Sequence, residues 1–222
     1  MKPKMIFIFF ALFTLFFIGP FVCANETDHN QIEFKWAILQ HQADKSMKSI
    51  DLLNQNEIQI EPDDLIKIYF QPGENTYIYL YLYESDKTLT VLFPQKSESF
   101  LNLDYFQNDY FIPEKDKWLQ FNNKKGSEKI YFIASASRLS ALEKLNRDLS
   151  LSRSVIQAGR IKQWILHEIM RLSRLNVKSR MISYDLMPFA GSIRGSEQEL
   201  PFKTGCFKAD GLFIKTIYFQ KK

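Results

Sequence analysis

Apolar and polar positions alternate along much of the first half of this chain, with the period of two that a half-buried strand requires. Ile32, Phe34, Trp36 and Ile38 alternate with Glu33, Lys35 and Ala37 and predict a first strand. Ile58 and Ile60 alternate again before Glu61-Pro62-Asp63-Asp64, which reads as a turn. Leu65, Ile66, Ile68 and Phe70 then continue into a strand ended by Gln71-Pro72-Gly73. The next strand sets Tyr77, Tyr79, Tyr81 and Tyr83 on one face and Ile78, Leu80 and Leu82 on the other. Both faces are apolar or amphipathic, so it reads as a central strand. Leu89 to Phe93 form its hairpin partner across Glu84-Ser85-Asp86-Lys87, and Pro94, which has no backbone donor, closes that partner. An aromatic passage through Trp118, Leu119 and Phe121 leads to a turn at Asn122-Asn123-Lys124-Lys125-Gly126 and a strand from Lys129 to Ser135.

At Ser137 the period changes to that of a helix, with Leu139, Leu142, Leu145 and Leu149 separated by charged residues. A second amphipathic helix is predicted from about Ser152 to Leu175. Its stripe of Ile156, Ile161, Trp164, Ile165, Ile169, Leu172 and Leu175 packs most simply on the sheet face that carries the tyrosines. Pro188 and the glycines at 191, 195 and 205 make the following stretch loop-like, and Leu212 to Phe219 reads as a last strand that returns to the sheet. Together these elements predict an α+β fold. It is a mainly antiparallel β-sandwich of about seven or more strands, with two helices inserted before the last strand and packed on one sheet.

The first residues change the setting. Lys2 and Lys4 precede an apolar run from Met5 to Ile18, Gly19-Pro20 breaks it, and Val22-Cys23-Ala24 follows, which is the layout of a secretory signal peptide. The run is shorter than the ~20 residues that span a bilayer. Residues 1–24 are therefore expected to be cleaved after Ala24, leaving 25–222 as a single exported domain in the periplasm or at the cell surface. Bulky Phe21 and Val22 argue against acylation of Cys23. The mature chain keeps Cys206 alone, a buried small hydrophobe on this reading, so no internal disulfide is available. Residues 25–137 carry 11 Lys and Arg against 18 Asp and Glu, and residues 138–222 carry 16 against 7. The favoured account is two complementary parts of one fold facing each other, with a surface for an anionic partner as the alternative.

Phe34-Lys35-Trp36-Ala37-Ile38, Asp64-Leu65-Ile66-Lys67-Ile68, Tyr77-Ile78-Tyr79-Leu80, Leu92-Phe93-Pro94, Ile112-Pro113, Gly126-Ser127-Glu128-Lys129-Ile130 and Ile133-Ala134-Ser135 occur in an order and spacing that resemble the bacterial domain of unknown function family 4384. The resemblance covers about residues 34–140, the β core. A helical segment at 138–176 and a loop with the final strand at 185–222 follow it. Pro188-Phe189-Ala190-Gly191-Ser192-Ile193-Arg194-Gly195 also resembles a C-terminal feature of stand-alone members. The resemblance implies an exported, β-sandwich-like interaction or sensing domain with no assigned catalytic site.

No constellation specifies a reaction. His167-Glu168 has the start of a zinc-protease motif, but Arg171 stands where the second histidine belongs, so no metal is expected. There is no phosphate-cradling glycine loop, and no cofactor is expected. Ser135 and Ser137 lack a Gly-x-Ser-x-Gly elbow, and a hydroxyl at Ser137 or Ser140 is better read as a helix cap. Asp63-Asp64 reads as a turn-forming pair.

Two candidate partner-binding features remain. Tyr77, Tyr79, Tyr81 and Tyr83, if exposed, make a stacking platform, although burial under a helix is the favoured reading. Gly191 and Gly195 flank Arg194, which can reach a partner's anionic group or pair internally. Arg153, Arg160, Lys162, Arg171 and Arg174 read as solvated helix charges, with contact to anionic lipid as the rarer reading. The function expected is a non-enzymatic periplasmic or surface module that binds a protein or envelope polymer, and nucleic acid is not expected. The rivals are an envelope hydrolase assembled from Asp64, Ser135, His167 and Arg194, and a membrane-tethered accessory with an uncleaved signal.

Overall fold

The computed structural model describes residues 30–42, 44, 46–52, 55–101, 104–106, 108–114, 116–121, 126–175, 179–189, 192–193, 196–197 and 200–221. The expected signal peptide at 1–24 lies outside them.

In chain order the strands begin with β1 (Gln31–His41), β2 (Met47–Ser49), β3 (Glu57–Ile60), β4 (Leu65–Pro72) and β5 (Tyr77–Tyr83). They continue with β6 (Leu89–Phe93), β7 (Tyr110–Ile112), β8 (Leu119–Gln120) and β9 (Ser127–Ser135), with a short 3-10 turn at Ser97–Leu101 after β6. Helices α1 (Ser140–Leu151) and α2 (Val155–Ser173) come next. They are followed by β10 (Ser179–Phe189), β11 (Ser192–Ile193), β12 (Ser196–Glu197), β13 (Leu200–Asp210) and β14 (Leu212–Lys221).

A seven-stranded sheet runs β10-β13-β1-β4-β7, with β2 on β1 and β8 on β4. A five-stranded sheet runs β3-β14-β9-β5-β6, and β11 pairs with β12. The ladders are antiparallel except for β14 on β3. The fold is α+β, with the two sheets arranged as a sandwich and the helices packed against sheet.

Alternation determines what the two sheets show each other. Ile32, Phe34, Trp36 and Ile38 of β1 are all buried, as are Ile66, Ile68 and Phe70 of β4. Across the gap stand Phe93, Phe132 and Phe213 of the smaller sheet. Trp36 stacks on Phe132 with ring centroids 4.0 Å apart, Phe34 meets Phe213 at 5.1 Å, and Phe70 meets Phe93 edge-on at 5.0 Å. Such pairs contribute roughly 0.5–1.5 kcal/mol each beyond their buried area. The outer face of the larger sheet closes on itself in a smaller cluster of Ala37, Leu39, Tyr69 and Phe202. Beside it the buried Lys67 lies over the Trp118 ring at 4.8 Å, and burial pushes its ammonium pKa down.

Two of the chain's crossings between the sheets turn on glycines. After β4, the Gly73 N–H donates to the Glu33 carbonyl at 2.8 Å, so close that a Cβ there would sit 2.4 Å from that oxygen. After β13, Gly211 turns at φ +74°, its N–H donating to the Asn30 carbonyl and its carbonyl accepting from Ala136. Near the ends of β9 and β14 the fully buried Glu128 accepts from the Ser85 backbone N–H and pairs with Lys221, each at 2.7 Å.

The loop-like reading of 185–222 is corrected in part. β10 and β13 form a long antiparallel arm, with Phe189 opposite Leu200 and Pro188 opposite Pro201, and β13 pairs with β1. Proline is tolerated there because β10 is an edge strand. Gly205 lies in β13, between the register partners Trp36 and Tyr184. β14 returns to the smaller sheet as expected.

The crowding at Gly73 has a measurable consequence. Gly73→Ala forces a methyl against a backbone oxygen that cannot rotate away, and about 1–3 kcal/mol of stability should be lost in urea unfolding. Gly159→Ala, in the second turn of α2 with open space around it, should instead stabilise by up to about 1 kcal/mol. Equal effects at the two positions would show that the corner relaxes freely.

Candidate functional site

The tyrosine strand is covered. Tyr79 and Tyr81 are fully buried, and Tyr77 and Tyr83 at the ends are half-buried. The cover is α1 together with the segment after β6. The Tyr79 hydroxyl donates to Glu143 at 2.8 Å and accepts from the Leu139 backbone N–H at 2.8 Å, and Asn146 donates to the Tyr81 hydroxyl at 3.1 Å. Glu143 is itself buried and gripped by Arg138, whose Nε lies 3.0 and 3.1 Å from its two oxygens and whose Nη2 donates as well. Phe100 and Phe106 pack edge-on against Tyr77, and the Tyr105 hydroxyl accepts from the Ile78 backbone N–H where the β6 ladder has ended.

Burial raises the pKa of the Tyr79, Tyr81 and Tyr105 hydroxyls far above the ordinary tyrosine value, and the Glu143 carboxylate adds to the rise at Tyr79 and Tyr81. The rings of Tyr79 and Tyr81 therefore cannot serve as an exposed platform, because α1 uses the face they would offer. The polar partners come from α1, whereas the sequence pattern had pointed to the later helix as the cover.

The N-terminus of α1 corrects a second expectation. Leu139 occupies the cap position without a capping side chain, and its own backbone N–H donates to the Tyr79 hydroxyl. Ser137 uses its backbone N–H on the Ser135 hydroxyl. Ser154 caps α2, accepting from Gln157.

What sequence reasoning missed lies on the helices. Ile161, Ile165, Ile169 and Leu172 are the buried stripe of α2, but Ile156, Trp164 and Leu175, assigned to the same stripe, are 73%, 58% and 54% exposed. At about 100° per residue, Ile156 lies nearly opposite the stripe and Trp164 to its side. A finer angular reading would have separated them. Leu151 and Val155 are exposed as well. Between the end of α1 and the start of α2 a groove of about 640 Å³ is lined by Leu151, Ile156, Ile161 and Trp164 with Asp148 and Arg160.

The charges around it are unbalanced. Lys144 pairs with Asp148 and Arg171 with Glu168. Arg147, Arg153, Arg160 and Arg174 have no ion-pair partner among the described residues. Lys208 with Glu33 and Lys221 with Glu128 do join the basic part to the acidic part. Among the described residues the helical arginines do not take part in that complementarity.

A second cavity, of about 220 Å³, opens beside β1, β10 and β13. Trp36, Leu52 and Phe207 form its apolar lining, and Asp51, Tyr184 and Lys203 its polar lining. The Tyr184 hydroxyl donates to Asp51 at 2.8 Å, and the buried Trp36 indole N–H finds no partner among the described residues.

Residues 59–138 match the family described as Domain of unknown function (DUF4384). No curated protein and no solved structure matches the chain. The DUF4384 match lies within the expected 34–140 and begins after Phe34–Ile38. It contains β4 to β9, the whole tyrosine strand and Arg138, and it stops before α1. Glu143 and Asn146, which meet the tyrosine hydroxyls, and the helical groove lie beyond it.

The other expected site residues are dispersed. Gly191, Arg194 and Gly195 lie outside the described residues. Asp64 closes the turn before β4, accepting from Gln40 at 2.7 Å and from the Glu61 backbone at 2.8 Å. Ser135 is buried at the end of β9, and His167 is exposed on α2. Neither cavity is lined by any of these three. Cys206 is buried, and burial pushes its thiol pKa up. Among the described residues no three His, Cys, Asp or Glu side chains are grouped to hold a metal ion.

Alkaline titration tests the burial of the tyrosines in the matched segment. Tyr69, Tyr79, Tyr81 and Tyr105 all have raised values. Their contribution to stability is full below about pH 10, the ordinary tyrosine value. It is lost as the pH rises above that, because the unfolded chain releases protons that the folded one retains. Phenolate absorbance from these four should appear only as the circular dichroism signal collapses. Ionisation of all ten tyrosines with the fold intact would contradict it.

Proposed function

We propose that this protein is a non-enzymatic interaction module, exported to the periplasm or cell surface, that docks on an anionic component of the envelope through the exposed side of α1 and α2. The observation that carries this reading is the coincidence, on one helical pair, of exposed Leu151, Val155, Ile156 and Trp164 with arginines that have no ion-pair partner among the described residues. A large apolar side chain left in water gives up roughly 1.5–3 kcal/mol of burial energy, and an interaction surface recovers it on docking. The apolar run Met5 to Ile18 behind Lys2 and Lys4, with Ala24 at its small-residue end, supports export. The hydrolase alternative asks for a pocket with at least two of Asp64, Ser135, His167 and Arg194, and neither cavity described above contains Asp64, Ser135 or His167.

Docking is tested by presenting the protein to envelope extract and measuring what is retained. Ile156→Ser with Trp164→Ser should lower retention at least about tenfold, as expected when central apolar anchors are removed. Leu186→Ser, equally exposed but on β10, should leave it unchanged, with wild-type circular dichroism in both. Retention that ignores the helical substitutions would overturn the assignment. Export is tested by the N-terminus of the protein recovered from cell fractions. Asn25 is the expected first residue, whereas Met1 would turn the reading to a tethered accessory.

A further inference from the structure

We infer that the surface met by α1 and α2 is that of an anionic lipid bilayer. This inference rests on the reading that the helical pair is the docking face. The argument begins with the distribution of side chains along α2. Opposite the buried stripe stand Ile156, Arg160, Gln163, His167, Met170 and Arg174, all exposed, with Trp164 beside them. Apolar and cationic residues are interleaved along the axis over about 30 Å.

A protein interface of comparable size gathers its apolar residues into a core and moves charge to a rim. A helix lying in the headgroup region does otherwise. Its aliphatic and indole side chains sink toward the acyl boundary while neighbouring arginines extend along their own stems to the phosphates. The interleaving on α2 has that form.

Charge complementarity points the same way. Residues 155–173 contain one acid, Glu168, and it is already paired with Arg171. Arg153 precedes the helix and Arg174 follows it, so cations stand at both ends of the exposed face and Arg160 within it. Exposed apolar area is too interrupted to hold a neutral bilayer, so anionic headgroups are required. The contact lies on the surface, since among the described residues no helix is long and apolar enough to cross a membrane.

The test uses the full chain with vesicles of phosphatidylcholine containing about 30 mol % phosphatidylglycerol, and with phosphatidylcholine alone. Co-sedimentation at about 0.1 M salt should favour the anionic vesicles at least tenfold and should fall by a similar factor at about 0.5 M. The exposed triple variant Arg153→Glu, Arg160→Glu, Arg174→Glu should lose this binding with its fold unchanged. Tryptophan emission should shift to the blue on anionic vesicles in the wild type, and the shift should vanish in Trp164→Phe, placing that ring at the interface. Equal binding to both vesicle types, or binding to neither, overturns the inference. If retention from envelope extract still depends on Ile156 and Trp164 in that case, the occupant is an acidic protein or polymer and only the lipid assignment fails. If that dependence is lost too, the docking face itself is wrong.

Discussion

Glu143 is a buried carboxylate in the first turn of α1, and the outer layer of the molecule depends on how it is neutralised. Arg138 closes on both of its oxygens from the strand-to-helix connection, and Tyr79 donates to it from the middle of β5. The same tyrosine hydroxyl accepts the backbone N–H of Leu139. One phenol thus satisfies a helix end and a charge together. Losing one partner of such a group costs more than an ordinary hydrogen bond, because the charge left behind has no access to water. The position of α1 follows from this contact. The position of α2 follows from α1, since they are joined by the three residues 152–154 and packed side by side.

The two sheets are not built from separate halves of the chain. The segment that matches DUF4384 gives β4, β7 and β8 to one sheet and β5, β6 and β9 to the other, and in each the neighbouring strands come from outside it. β1 and β13 complete the first, and β14 completes the second. The aromatic gap between the sheets therefore joins Phe132, inside the matched segment, to Phe34, Trp36 and Phe213, outside it. The segment alone supplies one side of many of these contacts.

The strands that alternate cleanly were legible from the residues, because period two with apolar inner positions admits one orientation in a sandwich. β1, β4, β5, β6, β9 and β14 are of this kind. The arm of β10 and β13 was hidden because Pro188 and the glycines read as punctuation, while an edge strand tolerates the first and a close inter-strand approach accommodates Gly205. The helices were legible as helices but not in their facing. A stripe drawn through every apolar residue of α2 spans more than half a turn, and only the part from Ile161 to Leu172 meets the core. The cap of α1 could not be read locally at all, since its partner is a tyrosine sixty residues earlier in the chain. Of the candidate site, the tyrosines were found with their burial favoured, and the exposed helical face was seen as charge without its apolar half.

The parallel pairing of β14 with β3 bears on how the chain reaches this fold. β14 lies between β3 and β9, both of which are made long before it. Until it arrives, β9 has a neighbour on one side only and β3 has none in its sheet. During synthesis the smaller sheet stays open between β3 and β9 while the tyrosine strand and both helices are already made. Closing it late, through contacts distant in sequence, slows folding.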